Sequence, residues 1–138
     1  MSTFRPPQTP ALTPYLTVQD AGKSIAFYEA AFGFNLIYKH EQDQQIVHVQ
    51  MGLDGEQVIM FASENVFGMS AKAPKTLGIE PPLSFYLYVP DVDASYNKAL
   101  AAGSNSIMAP DDMFWGERYC MVDDINGFRW GFGSLQKK

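Results

Sequence analysis

The chain has 138 residues and a mass of 15.4 kDa; it is 46% hydrophobic and 18% charged, with a net charge of −5 and a pI near 4.8. That length fits one domain with a real interior, and the low charged fraction argues against disorder. The acidic balance leaves no basic surface for nucleic acid, and no apolar run approaches the ~20 residues that a bilayer crossing requires. The opening MSTFRPPQTPALTP lacks the apolar core of a secretory signal. The single cysteine, Cys120, excludes an intramolecular disulfide and a thiolate zinc cluster. A reduced, cytoplasmic protein is expected. Aromatics are the unusual feature, with ten Phe, seven Tyr and two Trp. They fit a rich core, and they fit a site for a flat apolar ligand.

In chain order, the alternating run Tyr15–Val18 predicts a strand, and Asp20 is placed to cap a helix. Ala21, Ile25, Tyr28 and Phe32 then form one apolar stripe, and Gly33 supplies the left-handed stop. Strands follow at Leu36–Glu41, Ile46–Gly52 and Gln57–Ser63, divided by the polar turns Gln42–Gln45 and Asp54–Gly55. Residues 64–83 hold Gly68, Pro74, Gly78, Pro81 and Pro82 and read as a long irregular linker, functional or disordered. The pattern then restarts. Phe85–Val89 predicts a strand, Asp91 a cap, and Val92, Tyr96 and Ala99 a helical stripe with Leu100 beside it and Gly103 at its end. Three more strands follow at Ser106–Ala109, Arg118–Val122 and Phe128–Gly133, the last two joined by a turn carrying Asn126-Gly127.

The restart is a repeat. At an offset of 71, residues 14–31 align with 85–102 without a gap, and seven of eighteen positions coincide, among them Tyr15/Tyr86, Val18/Val89, Asp20/Asp91 and Ser24/Ser95. Phe61/Phe132 and Ser63/Ser134 match at the far end. One domain, residues 1–138, is therefore expected to hold a first module at 12–63, the linker 64–83 and a second module at 84–134, each β-α-β-β-β. The fold class is α+β, with paired modules whose curved sheets form a cleft.

These modules resemble the vicinal oxygen chelate superfamily, which includes glyoxalase I, extradiol dioxygenases and bleomycin-resistance proteins. The likeness to its PhnB-like branch rests on Thr13–Val18, Phe27-Tyr28, Ala31-Phe32-Gly33, Ile46–Gly52, Tyr88–Asp93 and Trp115–Arg118. The branch pattern Asp-Pro-x-Gly-His stands here as Asp124-Ile125-Asn126-Gly127-Phe128, without its His. The resemblance implies a cleft that hosts metalloenzymes in some members and binds drugs in others. It also implies homodimers, because half-barrels expose edges that a second chain completes.

In metal-using members one ligand lies on the first strand and one on the last strand of each module, positions that fall here on Thr13, Met60, Ser84 and Gly131. Two hydroxyls and a thioether bind Zn, Fe, Mn or Ni poorly, so no metal cofactor is expected; a divalent metal is the minority alternative. Gly131 would leave room where that metal sits. Alternation places Ile46, His48 and Gln50 on one face of their strand and Val47, Val49 and Met51 on the other. His48 is then either a histidine satisfied by a neighbour, or a ligand partner, or a general base. The repeat equates Tyr119 and Met121 with His48 and Gln50. Phe114 and Trp115 lie in the loop before the seventh strand, suited to stacking on a planar ligand or to an interface. Arg118 suits an anionic ligand or an ion pair with Asp123 or Asp124. The expected ligand-binding residues are His48, Gln50, Met60, Phe114, Trp115, Arg118, Tyr119 and Met121, with Val58 and Trp130 read as interior. The expected function is binding a small planar or apolar molecule, with cationic ligands weakly favoured by the net charge. The alternative is a lyase, isomerase or dioxygenase with His48 as base.

Overall fold

Residues 4–136 are described in the computed structural model, and they form two four-stranded mixed sheets with helices, neither closed into a barrel. The α+β architecture of two β-α-β-β-β modules is the one the sequence predicts. In the first module β1 (Tyr15–Val18) leads to Asp20, whose carboxylate accepts the Lys23 N–H at 2.8 Å. That bond satisfies one of the free amides at the start of α1 (Ala21–Phe32). Gly33, at φ 73°, ends the helix in the left-handed conformation that a side chain disfavours. β2 (Asn35–Gln42), β3 (Gln45–Leu53) and β4 (Glu56–Ser63) then run antiparallel. The sheet order is β1-β4-β3-β2, with β1 parallel to β4.

The connecting segment is more structured than its composition suggests. A 3₁₀ turn at Val66–Gly68 is followed by α2 (Pro74–Leu77), opened by a proline at its first position. Ala73 and Pro74 are buried, and the Lys75 N–H donates to the Asn126 carbonyl at 2.9 Å. The segment's prolines and glycines set turns around a docked helix rather than a free loop.

In the second module come β5 (Ser84–Tyr88), α3 (Val92–Ala101), β6 (Asn105–Asp112), β7 (Glu117–Asp123) and β8 (Arg129–Leu135), in the order β5-β8-β7-β6. Asp91 caps α3 by accepting the Ala94 N–H at 3.1 Å. Strand pairing repeats at the offset found in the sequence. Tyr15 pairs with Met60 and Tyr86 with Gly131; Gln50 pairs with Met60 and Met121 with Gly131. Equivalent register at these central pairs is the structural form of the duplication.

The chain divides into two compact units. One runs to Lys72 without Ala30–Phe32; the other contains Ala30–Phe32 and everything from Ala73 onward. In the first, Leu16, Val18, Val49, Met51, Ile59 and Phe61 are buried, and the Tyr28 ring lies 5.7 Å from Phe61. In the second, Val122, Phe132 and Trp130 are buried, and the Phe32 ring lies 4.8 Å from Trp130. Among the described residues no helix is long and apolar enough to cross a membrane.

Asp124 organises the turn between β7 and β8. Its buried carboxylate accepts the backbone N–H of Asn126 at 2.8 Å, that of Phe128 at 3.0 Å and the Trp130 indole N–H at 2.9 Å. The β7–β8 turn is thereby tied to a core aromatic. Asp124→Ala leaves three donors without their acceptor and is expected to cost more than about 2 kcal/mol in denaturant unfolding. Loss of the exposed cap in Asp20→Ala should cost about 1 kcal/mol.

Cys120 is fully buried on β7, and burial pushes its thiol from the ordinary value of 9.0 up to about 11. The unfolded thiol ionises first. Its contribution to stability is complete below pH 9 and is lost as pH rises to about 11. Cys120→Ala should remove that component from the pH profile of unfolding, and the folded wild type should resist thiol reagents at neutral pH.

Candidate functional site

On sheet one, alternation along β3 puts Val49 and Met51 in the interior and leaves His48 and Gln50 half-buried on the opposite face. Before His48 the pairing steps from His40↔His48 to Glu41↔Ile46, so Val47 is an extra residue that clusters with Ala62 and Val66. Ile46 comes round to Gly22 of α1, which corrects the expected placing of these two. A chain of hydrogen bonds runs across that face. The Tyr15 hydroxyl lies 2.8 Å from His48 Nδ1, and His48 Nε2 lies 3.1 Å from Gln50 Oε1. Gln50 Nε2 donates to Gln57 Oε1 at 2.5 Å, and Gln57 Nε2 donates to Thr13 Oγ1 at 3.0 Å. Because Gln50 offers its oxygen, His48 Nε2 carries a proton, and in the matching tautomer Nδ1 accepts from Tyr15. In that tautomer every donor points the same way, from Tyr15 to Thr13. Burial raises the Tyr15 hydroxyl above its ordinary value, which keeps it a donor at neutral pH. The Tyr15 ring also stacks on His48, 5.6 Å between centroids at 26°.

Gln57 is the residue that alternation misses. Ile59 and Phe61 are buried, and counting by two puts Gln57 in the interior with them. The pairing, however, steps from Met51↔Ile59 to Gly52↔Gln57, so Val58 is an extra residue on β4. One inserted residue reverses the parity of the strand on its far side, and Gln57 comes round to Gln50. Met60, in register with both Tyr15 and Gln50, is half-buried there.

On sheet two the same positions carry different chemistry. Tyr86 stacks on Tyr119, 5.1 Å between centroids at 22°, repeating the Tyr15–His48 pair. Both rings rest on glycines. A Cβ built on Gly131 would fall on the Tyr119 hydroxyl and ring, and one on Gly133 would lie 2.6 Å from the Tyr86 ring. The space that Gly131 opens is thus filled by Tyr119, which corrects the expectation of a vacant place there. Met121 sits beside Gly131 in register, half-buried.

The β6–β7 turn carries Phe114, 96% exposed, packed edge-on against Trp115 at 5.0 Å. The Trp115 ring in turn meets Tyr119 at 5.9 Å. Glu117, two positions before Tyr119 on the same strand, gathers this group: its Oε1 accepts the Trp115 indole N–H at 3.0 Å and the Tyr86 hydroxyl. Those donors, with the Tyr88 hydroxyl, hold the Glu117 carboxyl below its ordinary range. Burial and the Glu117 bond push Tyr86 up to about 12. Glu117 was legible by the alternation that selects Tyr119 and Met121, but a charged residue at a strand start reads as solvated.

Arg118 lies apart from this set. Alternation turns it to the Cys120 face, where Nε and Nη2 donate to Asp93 at 2.7 and 3.0 Å and Nη1 donates to Asp112 at 3.1 Å. Asp123 instead receives Arg129 at 2.9 Å, and Asp124 anchors the turn. The guanidinium fork is committed to two carboxylates on its own unit.

At the positions where the family carries metal ligands, sheet one offers the Thr13 hydroxyl, already accepting from Gln57, and the Met60 thioether. Sheet two offers the Ser84 hydroxyl and, at Gly131, no side chain. Among the described residues no three His, Cys, Asp or Glu side chains converge as a ligand group. The donors present do not fit a transition ion.

Because Tyr119 occupies the place of a Gly131 side chain, Gly131→Ala is expected to destabilise by roughly 1–3 kcal/mol, the usual range for overpacking. In a Tyr119→Ala background that cost should largely vanish. A coupling of less than about 0.5 kcal/mol in the double-mutant cycle would mean that the ring yields freely.

Comparison with known proteins agrees with this architecture. An uncharacterized protein of Mycobacterium bovis is 35% identical over 127 residues, covering 91% of this chain and 83% of the relative. Among solved structures, TioX from Micromonospora sp. ML1 superposes with a TM-score of 0.71 at 23% identity, covering 91% of this chain and 98% of that one. TnmS3 from Streptomyces sp. CB03234, described as an antibiotic binding protein, gives 0.65 at 20% identity over 99% and 100%. Residues 11–132 match the family described as Glyoxalase/Bleomycin resistance protein/Dioxygenase superfamily, and the chain belongs to it.

Proposed function

We propose that this chain is a cytoplasmic, PhnB-like binding protein of the resistance or sequestration kind, working without a metal and as a homodimer, and taking a small planar or apolar molecule. The observation that carries the reading is the donor chemistry at the family's ligand positions, which hold Thr13, Met60, Ser84 and Gly131. In place of a ligand set stand a satisfied polar chain on sheet one and a tyrosine–tryptophan face on sheet two, which suit holding a molecule better than transforming it. His48 has both ring nitrogens engaged, so abstracting a proton requires displacing Tyr15. The fold likeness to an antibiotic binding protein supports the same class. The dimer is supported by the open edge strand β2, where Ile37 and Tyr38 are about half exposed.

A thermal-shift screen is the direct test. Quinone-like and bleomycin-like compounds should stabilise the fold; if only short 2-oxo acids do so, and are consumed, the protein is an enzyme. His48→Ala should weaken binding by about 0.5–1.5 kcal/mol, the worth of a neutral hydrogen bond. An acid–base catalyst would instead lose turnover by roughly 10²–10⁴-fold. Elemental analysis of protein purified without chelator should find no stoichiometric Zn, Fe, Mn or Ni. Light scattering should give twice the 15.4 kDa of the chain.

A further inference from the structure

The carboxylates of this protein are not all alike. Glu41 pairs with Lys39, Asp93 and Asp112 with Arg118, and Glu80 and Asp123 with Arg129. Glu117 pairs with no Lys, Arg or His among the described residues. Its hydrogen-bond partners are the hydroxyl of Tyr86 and the indole N–H of Trp115. Two donors stabilise the anion without cancelling its charge. A carboxylate offers about four acceptor positions, so at least one remains open.

The rings around it are also placed for more than packing. Tyr86 lies 5.2 Å from Tyr88 and 5.1 Å from Tyr119, and Trp115 meets Tyr119 at 66°. Tyr86, Tyr88 and Trp115 keep 44%, 63% and 46% of their surface exposed. Ring faces carry partial negative charge and attract cations within about 6 Å, most strongly on tryptophan. The one strong positive group nearby in sequence, Arg118, is turned to the opposite face and held by Asp93 and Asp112. A full negative charge set among electron-rich rings, with the local arginine removed, matches an alkylated ammonium group. It repels an anion and gives a neutral molecule no use for the charge.

We propose that the aromatic face of Tyr86, Tyr88, Trp115 and Tyr119, with Glu117 as counter-charge, binds an alkylammonium group. This rests on the small-molecule-binding function proposed for the chain and specifies that the ligand carries an amine on its planar or apolar body.

The test compares choline with 3,3-dimethylbutan-1-ol, its uncharged isostere, tracking the Trp115 indole N–H by NMR. Choline should shift that resonance, and the neutral isostere should bind at least tenfold more weakly. Glu117→Gln keeps an oxygen for Tyr86 and Trp115 but removes the charge, and should cost choline at least tenfold while barely affecting the isostere. Should Glu117→Gln fail to fold, Trp115→Leu on the exposed turn should reduce the choline preference, read on Tyr86 ring protons. Equal binding of the two probes, or no shift with choline, overturns the ammonium site. Either result leaves the binding function to the neutral planar compounds of the thermal-shift screen, whose failure to stabilise would overturn that function separately.

Discussion

Each sheet is held together by a parallel pairing between the first and last strands of its module. Parallel neighbours cannot be joined by a tight turn, so the helix and two intervening strands are the connection that lets β1 lie beside β4, and β5 beside β8. That pairing fixes which side chains share a face. It sets Tyr15 against Met60 and Tyr86 against Gly131, and through the next ladder it brings Gln50 and Met121 into the same row. With those registers set, two-residue periodicity brings Tyr15 and His48, and Tyr86 and Tyr119, to the same face of their sheets.

One scaffold therefore presents two chemistries. Where sheet one has Met60 and Ala62, sheet two has Gly131 and Gly133, and removing those side chains lets two tyrosine rings lie down on the backbone. Where sheet one has Ile46, sheet two has Glu117, and a polar chain gives way to a charge ringed by aromatics. Duplication preserved the pairing and released the side chains on one face to diverge.

Much of this architecture is legible in the residues alone. The helix caps Asp20 and Asp91, the eight strands and the side to which His48, Gln50, Tyr119 and Met121 point all come from local signals, since caps and alternation act over a few residues. What escapes are effects of one inserted or absent atom group. Gln57 is hidden by a bulge that no composition announces. The partners of Arg118 depend on α3 lying over β7, a contact distant in sequence. The connecting segment looks formless because its four-residue α2 is too short for periodicity and is held by contacts at Asn126. Tyr119 filling the space above Gly131 depends on how two strands meet, since a glycine in sequence shows only that bulk is missing.

The aligned hydrogen bonds of sheet one give that face a polarity of its own. In the Nε2–H tautomer of His48, Tyr15 spends its proton inward and its oxygen shows lone pairs outward; Thr13 receives from Gln57, so its hydroxyl proton is left to turn outward. The row thus ends in an acceptor on one side and a donor on the other, like a wire with unlike terminals. Inverting one terminal means turning over both glutamine amides and moving the imidazole proton together, because a single reversed member sets two donors or two acceptors face to face. A molecule with both an N–H and a carbonyl meets a surface that distinguishes its two ends by proton order, before shape is consulted at all.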